Sequence, residues 1–214
     1  MSAALLIFDC DGTLVDTEPF YNIAWTAVLN RMGLPWTVED ERRHLMGRPW
    51  ADAVAIVERA LGRKVPADFE SIVWTEVQAE FAKRPLQAVD GVAEALGALR
   101  GPRCVASSNW EDKVRESLAT TGLGGFFDPA HIFVAAMVKR GKPAPDLFLH
   151  AAATMGAAPM ECVVIEDSVP GVQAGVAAGM RVLGYAGPFT DPEGLAAAGA
   201  ELFDDMRRLP ALLA

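Results

Sequence analysis

The chain has 214 residues, 51% of them hydrophobic and 22% charged, enough for one sizeable core with a small accessory domain and too apolar for a disordered or fibrous protein. Its 19 basic residues against 28 acidic ones leave a net charge of −9, the wrong sign for coating nucleic acid or an anionic membrane, so an anionic ligand must be gripped locally. The three cysteines, Cys10, Cys104 and Cys162, are widely spaced among apolar neighbours and suggest neither a disulfide framework nor a zinc site.

The first apolar run, Ala3 to Phe8, has no basic leader and is too short for a signal sequence; Leu5–Phe8 within it reads as a buried strand. Nowhere does the chain approach the roughly 18 uninterrupted apolar residues of a membrane helix, and a soluble, cytoplasmic protein is expected. A long stretch without strand signal follows. Helical spacing of apolar residues covers Glu18–Arg31 (Phe20, Ile23, Ala24, Ala27, Val28), Trp50–Leu61 (Ala53, Ile56, Val57, Ala60) and Phe69–Lys83 (Ile72, Val73, Val77, Phe81). Three or more helices therefore lie inside one strand-to-helix connection, a place that ordinarily holds about 2–6 residues. This predicts a helical subdomain over 17–85, a lid above the first strand's carboxyl end, inserted into a core made of 1–16 and 86–214. The entry hinge falls near Val15–Thr17, and Pro85 and Gly91 bracket the return.

Beyond residue 85, strand-like runs at Cys104–Ala106, Ile132–Ala135, Cys162–Ile165 and Arg181–Leu183 alternate with helical patterns at Val92–Leu99, Lys113–Thr120, Pro145–Met155 and Gly171–Ala178. The alternation predicts an α/β fold with a doubly wound, Rossmann-like parallel sheet, whose ligands sit outside the carboxyl ends of the strands. Gly171, Gly175 and Gly179 recur every four residues, which sets them on one helix face for close packing. The Ala/Gly-rich tail after Gly194 carries no clear pattern.

Three strands run into polar residues: Phe8 into Asp9-Cys10-Asp11-Gly12-Thr13, Ala106 into Ser107-Ser108-Asn109, and Ile165 into Glu166-Asp167-Ser168. Carboxylates from adjacent strands repel unless a cation lies between them, and an all-oxygen set without His or Cys suits Mg²⁺ better than zinc. Positions two apart in extended backbone face the same way, so Asp9 and Asp11 share a pocket that Cys10 avoids. One acid can attack an ester while the other serves as general acid and base. Gly12 permits a turn that a Cβ would obstruct, and Thr13 offers a hydroxyl and an amide to an anion. Lys142, in Gly141-Lys142-Pro143-Ala144-Pro145-Asp146, can reach an active-site phosphate, with Pro145 in the first turn of a helix. Taken singly, each signal has a plainer reading: an Asx-rich turn or calcium loop for Asp-x-Asp-Gly, a surface lysine for Lys142, helix caps for Ser107 and Ser108. For Ser108, capping and phosphate binding coincide, because a helix N-terminus is an anion site. His44, His131 and His150 are scattered and fit surface or capping roles.

The set Asp9-x-Asp11-Gly12-Thr13-Leu14-Val15-Asp16-Thr17-Glu18, Ser107, Lys142-Pro143-x-Pro145-Asp146 and Glu166-Asp167-Ser168-x-x-Gly171 resembles the haloacid dehalogenase-like superfamily. Within it, the chain looks like the subgroup of sugar-phosphate phosphatases and β-phosphoglucomutases that carry a helical cap after the first strand. The resemblance implies that Asp9 is the nucleophile forming an aspartyl-phosphate, and that Asp11 protonates the leaving oxygen and then activates water. It also implies that Ser107 and Lys142 bind the transferring phosphoryl, and that Asp9, Asp167 and the Asp11 carbonyl hold Mg²⁺. Glu166 is either a further ligand or an orienting partner. Gly12, Thr13 and Ser108 complete the implied phosphate cradle. The second aspartate argues against haloacid dehalogenation.

The subgroup's mutases carry a cap histidine where this chain has Tyr21, which favours a hydrolase over a β-phosphoglucomutase-like phosphotransferase. An inactive sugar-phosphate binder is the alternative of another class, opposed by retention of both acids, Ser107 and Lys142. The segment Phe8–Asp16, with Cys104-Val105, looks most like bacterial phosphatases acting on sugar-acid phosphates such as 6-phosphogluconate. Glu18, Tyr21, Arg48 and Trp50 in the cap, with Asn109 and Trp110 after Ser107, are the candidates to line a substrate cavity. The expected partner is a small phosphorylated substrate, with no nucleic acid and no membrane, the protein being a monomer or small homo-oligomer.

Overall fold

The computed structural model describes residues 3–45, 48 and 50–214. It groups them in two compact units: residues up to Asp16 together with Gln87–Ala214, and Thr17–Leu86. Among the described residues, no helix is long and apolar enough to cross a membrane.

The first unit holds one parallel sheet of β1 (Leu5–Phe8), β2 (Arg103–Ser107), β3 (Ile132–Val134), β4 (Cys162–Glu166), β5 (Arg181–Tyr185) and β6 (Glu201–Phe203), in the order β3-β2-β1-β4-β5-β6. The order reverses between β1 and β4, the switch point at which ligands of such sheets are held. All four residues of β1 are buried. Leu5 and Ile7 join one cluster with Cys104, Ala106, Cys162 and Val164, covered by Leu147 and Phe148 of α7 (Asp146–Thr154) and Val172 of α8 (Val169–Ala177). Phe8 is equally buried and meets the Phe127 ring edge-on at 5.9 Å. Burial on both faces explains a continuous apolar run with no alternation, and each such side chain contributes about 1.5–3 kcal/mol.

Several boundaries differ from the sequence expectation. β2 and β4 each run one residue further, so Ser107 and Glu166 are the last residues of their strands, whereas β3 stops at Val134 and Ala135 opens a 3₁₀ turn. α5 spans Val92–Ala98, and α6 opens at Glu111 and runs to Thr120. Pro145 is the N-cap of α7 and lies outside its first turn. Only Gly171 and Gly175 lie within α8; Gly179 stands beyond its C-cap with φ +73°, in the left-handed conformation that ends a helix. A Cβ on Gly175 would press on Val182, the close approach to the sheet that the glycine allows. The tail is structured: it supplies α9 (Pro192–Ala197), β6 and α10 (Leu209–Leu212).

The second unit is helical: α1 (Glu18–Arg31), α2 (Val38–Leu45), α3 (Trp50–Leu61) and α4 (Phe69–Lys83). Pro19 and Glu18 suit the first turn of α1 and Arg31 its last. Ala24, Val28 and Leu29 of α1 pack with Val57 of α3 and Phe69, Val73 and Val77 of α4. Trp25 meets Phe69 edge-on at 5.4 Å. α2 had no sequence signal of its own, because its buried positions are Glu41 and Leu45 and its other apolar residue, Val38, is exposed.

Candidate active site

Asp9 follows β1 directly, and its amide donates to the Ile165 carbonyl at 2.9 Å, which carries the sheet ladder one residue past the strand. The turn after it closes on itself: the amides of Leu14 and Val15 donate to the Cys10 carbonyl at 2.8 and 2.9 Å. Gly12, at φ +80°, cannot be replaced without penalty, because a Cβ there would overlap the Asp167 carboxylate. The space is used by Thr13, whose hydroxyl donates to Asp167 Oδ1 at 2.8 Å. The chain thus clamps the end of β1 to the end of β4.

Lys142 arrives from the loop before α7 and all but vanishes from solvent, its side chain 4% exposed. Its Nζ donates to Asp9 Oδ1 at 2.5 Å, Glu166 Oε1 at 2.7 Å and the Ala106 carbonyl at 3.0 Å, which uses all three of its N–H groups. Glu166 is pinned as firmly: its Oε2 accepts from the amides of Asp167 at 2.9 Å and Ser168 at 2.8 Å, and from the Ser168 hydroxyl at 2.9 Å. A Cβ on Gly171 would fall on the Glu166 carboxylate, so that glycine serves the site as well as the packing.

Asp11 accepts from Asn109 Nδ2 at 3.3 Å, and the Ser107 hydroxyl accepts from the Asn109 amide at 3.0 Å. Asn109 therefore ties the β2 loop to the second aspartate. Ser107 is buried and Ser108 exposed, and neither caps a helix: α6 begins at Glu111 with Trp110 as its N-cap and no side-chain cap. The expected coincidence of capping with phosphate binding at Ser108 is thereby removed. Trp110 is 68% exposed.

Asp9 and Glu166 share the Lys142 ammonium, and Asp167 adds a third carboxylate close to theirs. Burial pushes the Asp9 carboxyl up to about 7, against the pull of Lys142. For Lys142, burial opposes the charge, but Asp9 and Glu166 outweigh it and hold the ammonium above the usual lysine range. Such an excess of acid in a buried pocket calls for a further cation before an anionic substrate can enter. Asp9, Glu166 and Asp167 each offer a carboxylate oxygen within 4.8 Å of the others, an all-oxygen set that fits a hard divalent ion. The Asp11 carboxylate is not part of that cluster.

The remaining expected residues lie in the helical unit. Glu18, Tyr21, Arg48 and Trp50 line one cavity there, together with Asn22, Trp25, Glu41, Leu45 and Ala53. Arg48 is exposed and its Nε donates to the His44 carbonyl at 2.8 Å; its neighbours Met46, Gly47 and Pro49 lie outside the described residues. Sequence reasoning missed Glu41 and Asn22, both buried polar residues. The only sequence signal for Glu41 was its i,i+4 spacing with Leu45. Of the histidines, His44 stacks on Trp36 at 4.8 Å and His150 lies edge-on to Phe133 at 5.6 Å.

A family model for haloacid dehalogenase-like hydrolases matches residues 3–179. The fructose-1-phosphate phosphatase of Escherichia coli K12 is 39% identical over 184 residues, covering 82% of this chain and 92% of the relative. The 6-phosphogluconate phosphatase of the same organism is 30% identical over 188 residues, covering 87% and 85%. A crystal structure of a haloacid dehalogenase-like protein of unknown function from Agrobacterium tumefaciens C58 superposes with a TM-score of 0.89 at 35% identity, covering 99% of this chain and 97% of that one.

Proposed function

The chain belongs to the haloacid dehalogenase-like hydrolases with a helical insert after the first strand, and from that premise we propose a Mg²⁺-dependent phosphomonoesterase that acts on a sugar or sugar-acid phosphate. The observation that carries the reading is the junction of Asp9, Glu166 and the Ala106 carbonyl on one buried ammonium, Lys142, with Asp167 alongside.

An Asp9 oxygen attacks phosphorus, and the ester P–O bond breaks as Asp11 delivers a proton to the leaving oxygen. Asp11, now a base, takes a proton from water; the water oxygen bonds to phosphorus, the Asp9–phosphorus bond breaks, and inorganic phosphate departs. Asp9 and Asp167, with the Asp11 carbonyl, would hold Mg²⁺, which when bound would supply positive charge for the phosphate oxygens. Lys142 would add its own charge, and Ser107 with the Thr13 amide would orient the phosphoryl oxygens, Ser108 serving from the rim; the Gly12 amide, expected in the cradle, instead donates to the Val15 carbonyl at 2.8 Å and closes the turn. Glu166, with three hydrogen bonds already on Oε2, acts by fixing Lys142 and the Asp167–Ser168 backbone.

Tyr21, half-buried with its ring 6.4 Å from that of Trp74, offers a phenol where the subgroup's mutases carry an imidazole. Discharge of the aspartyl-phosphate to water follows. The substrate-lining roles fall to Glu18, Tyr21, Arg48 and Trp50, with Asn109 and Trp110 on the β2 loop. Kinship to relatives named for fructose 1-phosphate and 6-phosphogluconate supports a substrate of that size.

The test is release of inorganic phosphate from p-nitrophenyl phosphate with Mg²⁺. Asp9→Asn is expected to lose about 10⁴-fold or more in kcat; full turnover by that variant would overturn the reading. With β-glucose 1-phosphate and a bisphosphate primer, free sugar is expected, and accumulation of glucose 6-phosphate would indicate a mutase.

A further inference from the structure

Asn109 stands two residues past the end of β2, half-buried, with both ends of its side-chain amide engaged. Its Oδ1 accepts from the Trp110 amide at 2.9 Å, and its Nδ2 donates to Asp11 Oδ2 at 3.3 Å. The two ends of a carboxamide are told apart by their partners. A backbone N–H can only donate, so the atom that meets Trp110 is the carbonyl oxygen, and the atom that faces Asp11 is the NH₂. The backbone amide of Asn109 donates separately to the Ser107 hydroxyl at 3.0 Å, a bond that does not involve the side chain.

This orientation makes the two oxygens of Asp11 unequal. A carboxylic acid accepts best through its carbonyl oxygen and donates through its hydroxyl, so an N–H directed at Oδ2 favours the proton on Oδ1. In the proposed first step an Asp9 oxygen bonds to phosphorus, the ester P–O bond breaks, and the proton passes from Asp11 to the departing oxygen. Asp11 is then a carboxylate to which Asn109 already donates. A bond of 3.3 Å is long for N–H···O and has room to shorten as that charge develops. A donor whose bond strengthens in this way stabilises the transition state more than the ground state. The gain is confined to proton delivery, so it should grow with the basicity of the departing oxygen.

We propose that Asn109 is a positioning residue for the general acid, directing the Asp11 proton to Oδ1 and stabilising the carboxylate left behind. The proposal rests on the phosphomonoesterase reading and deepens it, since it assigns the oxygen through which that reaction's proton travels. Both residues belong to the first unit. A substrate contact through the same NH₂ would instead act on polar groups of the alcohol, which a simple ester lacks.

p-Nitrophenyl phosphate and benzyl phosphate each carry one ring and no hydroxyl, but the first releases a nitrophenolate, which needs little help from a proton, and the second an alkoxide, which needs one. kcat/KM covers the steps up to departure of that group and excludes the later attack of water. With the full-length chain and Mg²⁺, Asn109→Ala is expected to lower kcat/KM for benzyl phosphate about fivefold or more beyond its effect on p-nitrophenyl phosphate, a part of the roughly 10²–10⁴-fold that a positioned acid supplies. Asn109→Asp, which keeps the shape and the acceptor for Trp110 but sets an oxygen in place of the NH₂, is expected to shift the ratio in the same direction and by as much. Each ratio is taken within one protein, so an inactive fraction cancels, as does any change in phosphate affinity common to both esters. A smaller shift in either variant that turns over overturns the proposal, and so does loss of both activities in both variants. Cleavage of p-nitrophenyl phosphate but not benzyl phosphate by the unmodified chain overturns it too. Failure of the unmodified chain to release phosphate even from p-nitrophenyl phosphate would instead remove the phosphomonoesterase reading, and this inference with it.

Discussion

Replacing Lys142 by Met would leave the Asp9 and Glu166 carboxylates and the Ala106 carbonyl facing one another with no donor among them. Removing one partner of a buried pair costs about 3–5 kcal/mol, and urea unfolding at pH 7.5 is expected to show a loss of that order. Part of the loss returns at pH 5, where the stranded carboxylates take up protons. Glu41 gives the opposite sign. Burial, with Glu18 nearby, pushes its carboxyl from the ordinary 4.5 up to about 8. A group raised in the folded state contributes its full stability below its unfolded pKa and loses it as pH rises towards the folded one. Glu41→Gln should therefore be more stable than the parent at pH 8 by a few kcal/mol, with the advantage shrinking as pH falls to 4.5. A pair of urea melts at those two pH values measures it, and a pH-independent difference would refute the assignment.

At the scale of elements, α8 carries a test that separates the site from helix propensity. Gly171→Ala in an open helix would stabilise by about 0.5–1 kcal/mol, yet here the new Cβ meets the Glu166 carboxylate. The expected result is a loss of stability and of activity together. Gly97→Ala in α5, where nothing lies within 4 Å of the added carbon, is the control and should be neutral or stabilising. Thermal unfolding of the two variants reads both effects. The same elements show what a sequence reader can and cannot find. β1 and β4 were legible because burial on both faces demands an unbroken apolar run, and a polar residue next to such a run marks the strand's end. β6 was not: it is an edge strand with Glu201 and Leu202 exposed, so no face pattern survives in three residues. α2 was hidden for a related reason, since Glu41 occupies a buried position that an apolar residue would have announced.

For the whole molecule, the core site was legible because Asp9, Ser107, Lys142 and Glu166-Asp167 belong to four separated segments that parallel topology returns to one switch point. The helical unit's cavity was only half legible, because Glu41 and Asn22 become interesting only when the fold buries them. Ion binding at the core acts on global stability by mass action. Mg²⁺ at a hundredfold excess over its Kd is expected to add about 2.7 kcal/mol, a rise of roughly 5–11 °C in Tm for a chain of this size. Asp167→Asn should abolish the rise, and a scan with and without the ion reads it independently of turnover.

Cys10 lies between the two aspartates with no exposed surface, and burial, then Asp11 and Asp9, pushes its thiol well above the ordinary range. Cys104 and Cys162 are buried free thiols as well. Alkylating and oxidising reagents need an exposed thiolate, so the native enzyme gives them nothing to attack. Modification of Cys10 then keeps time for the excursions in which the Asp9–Asp16 turn comes undone, an internal clock for the motion of the very segment that carries the proposed nucleophile.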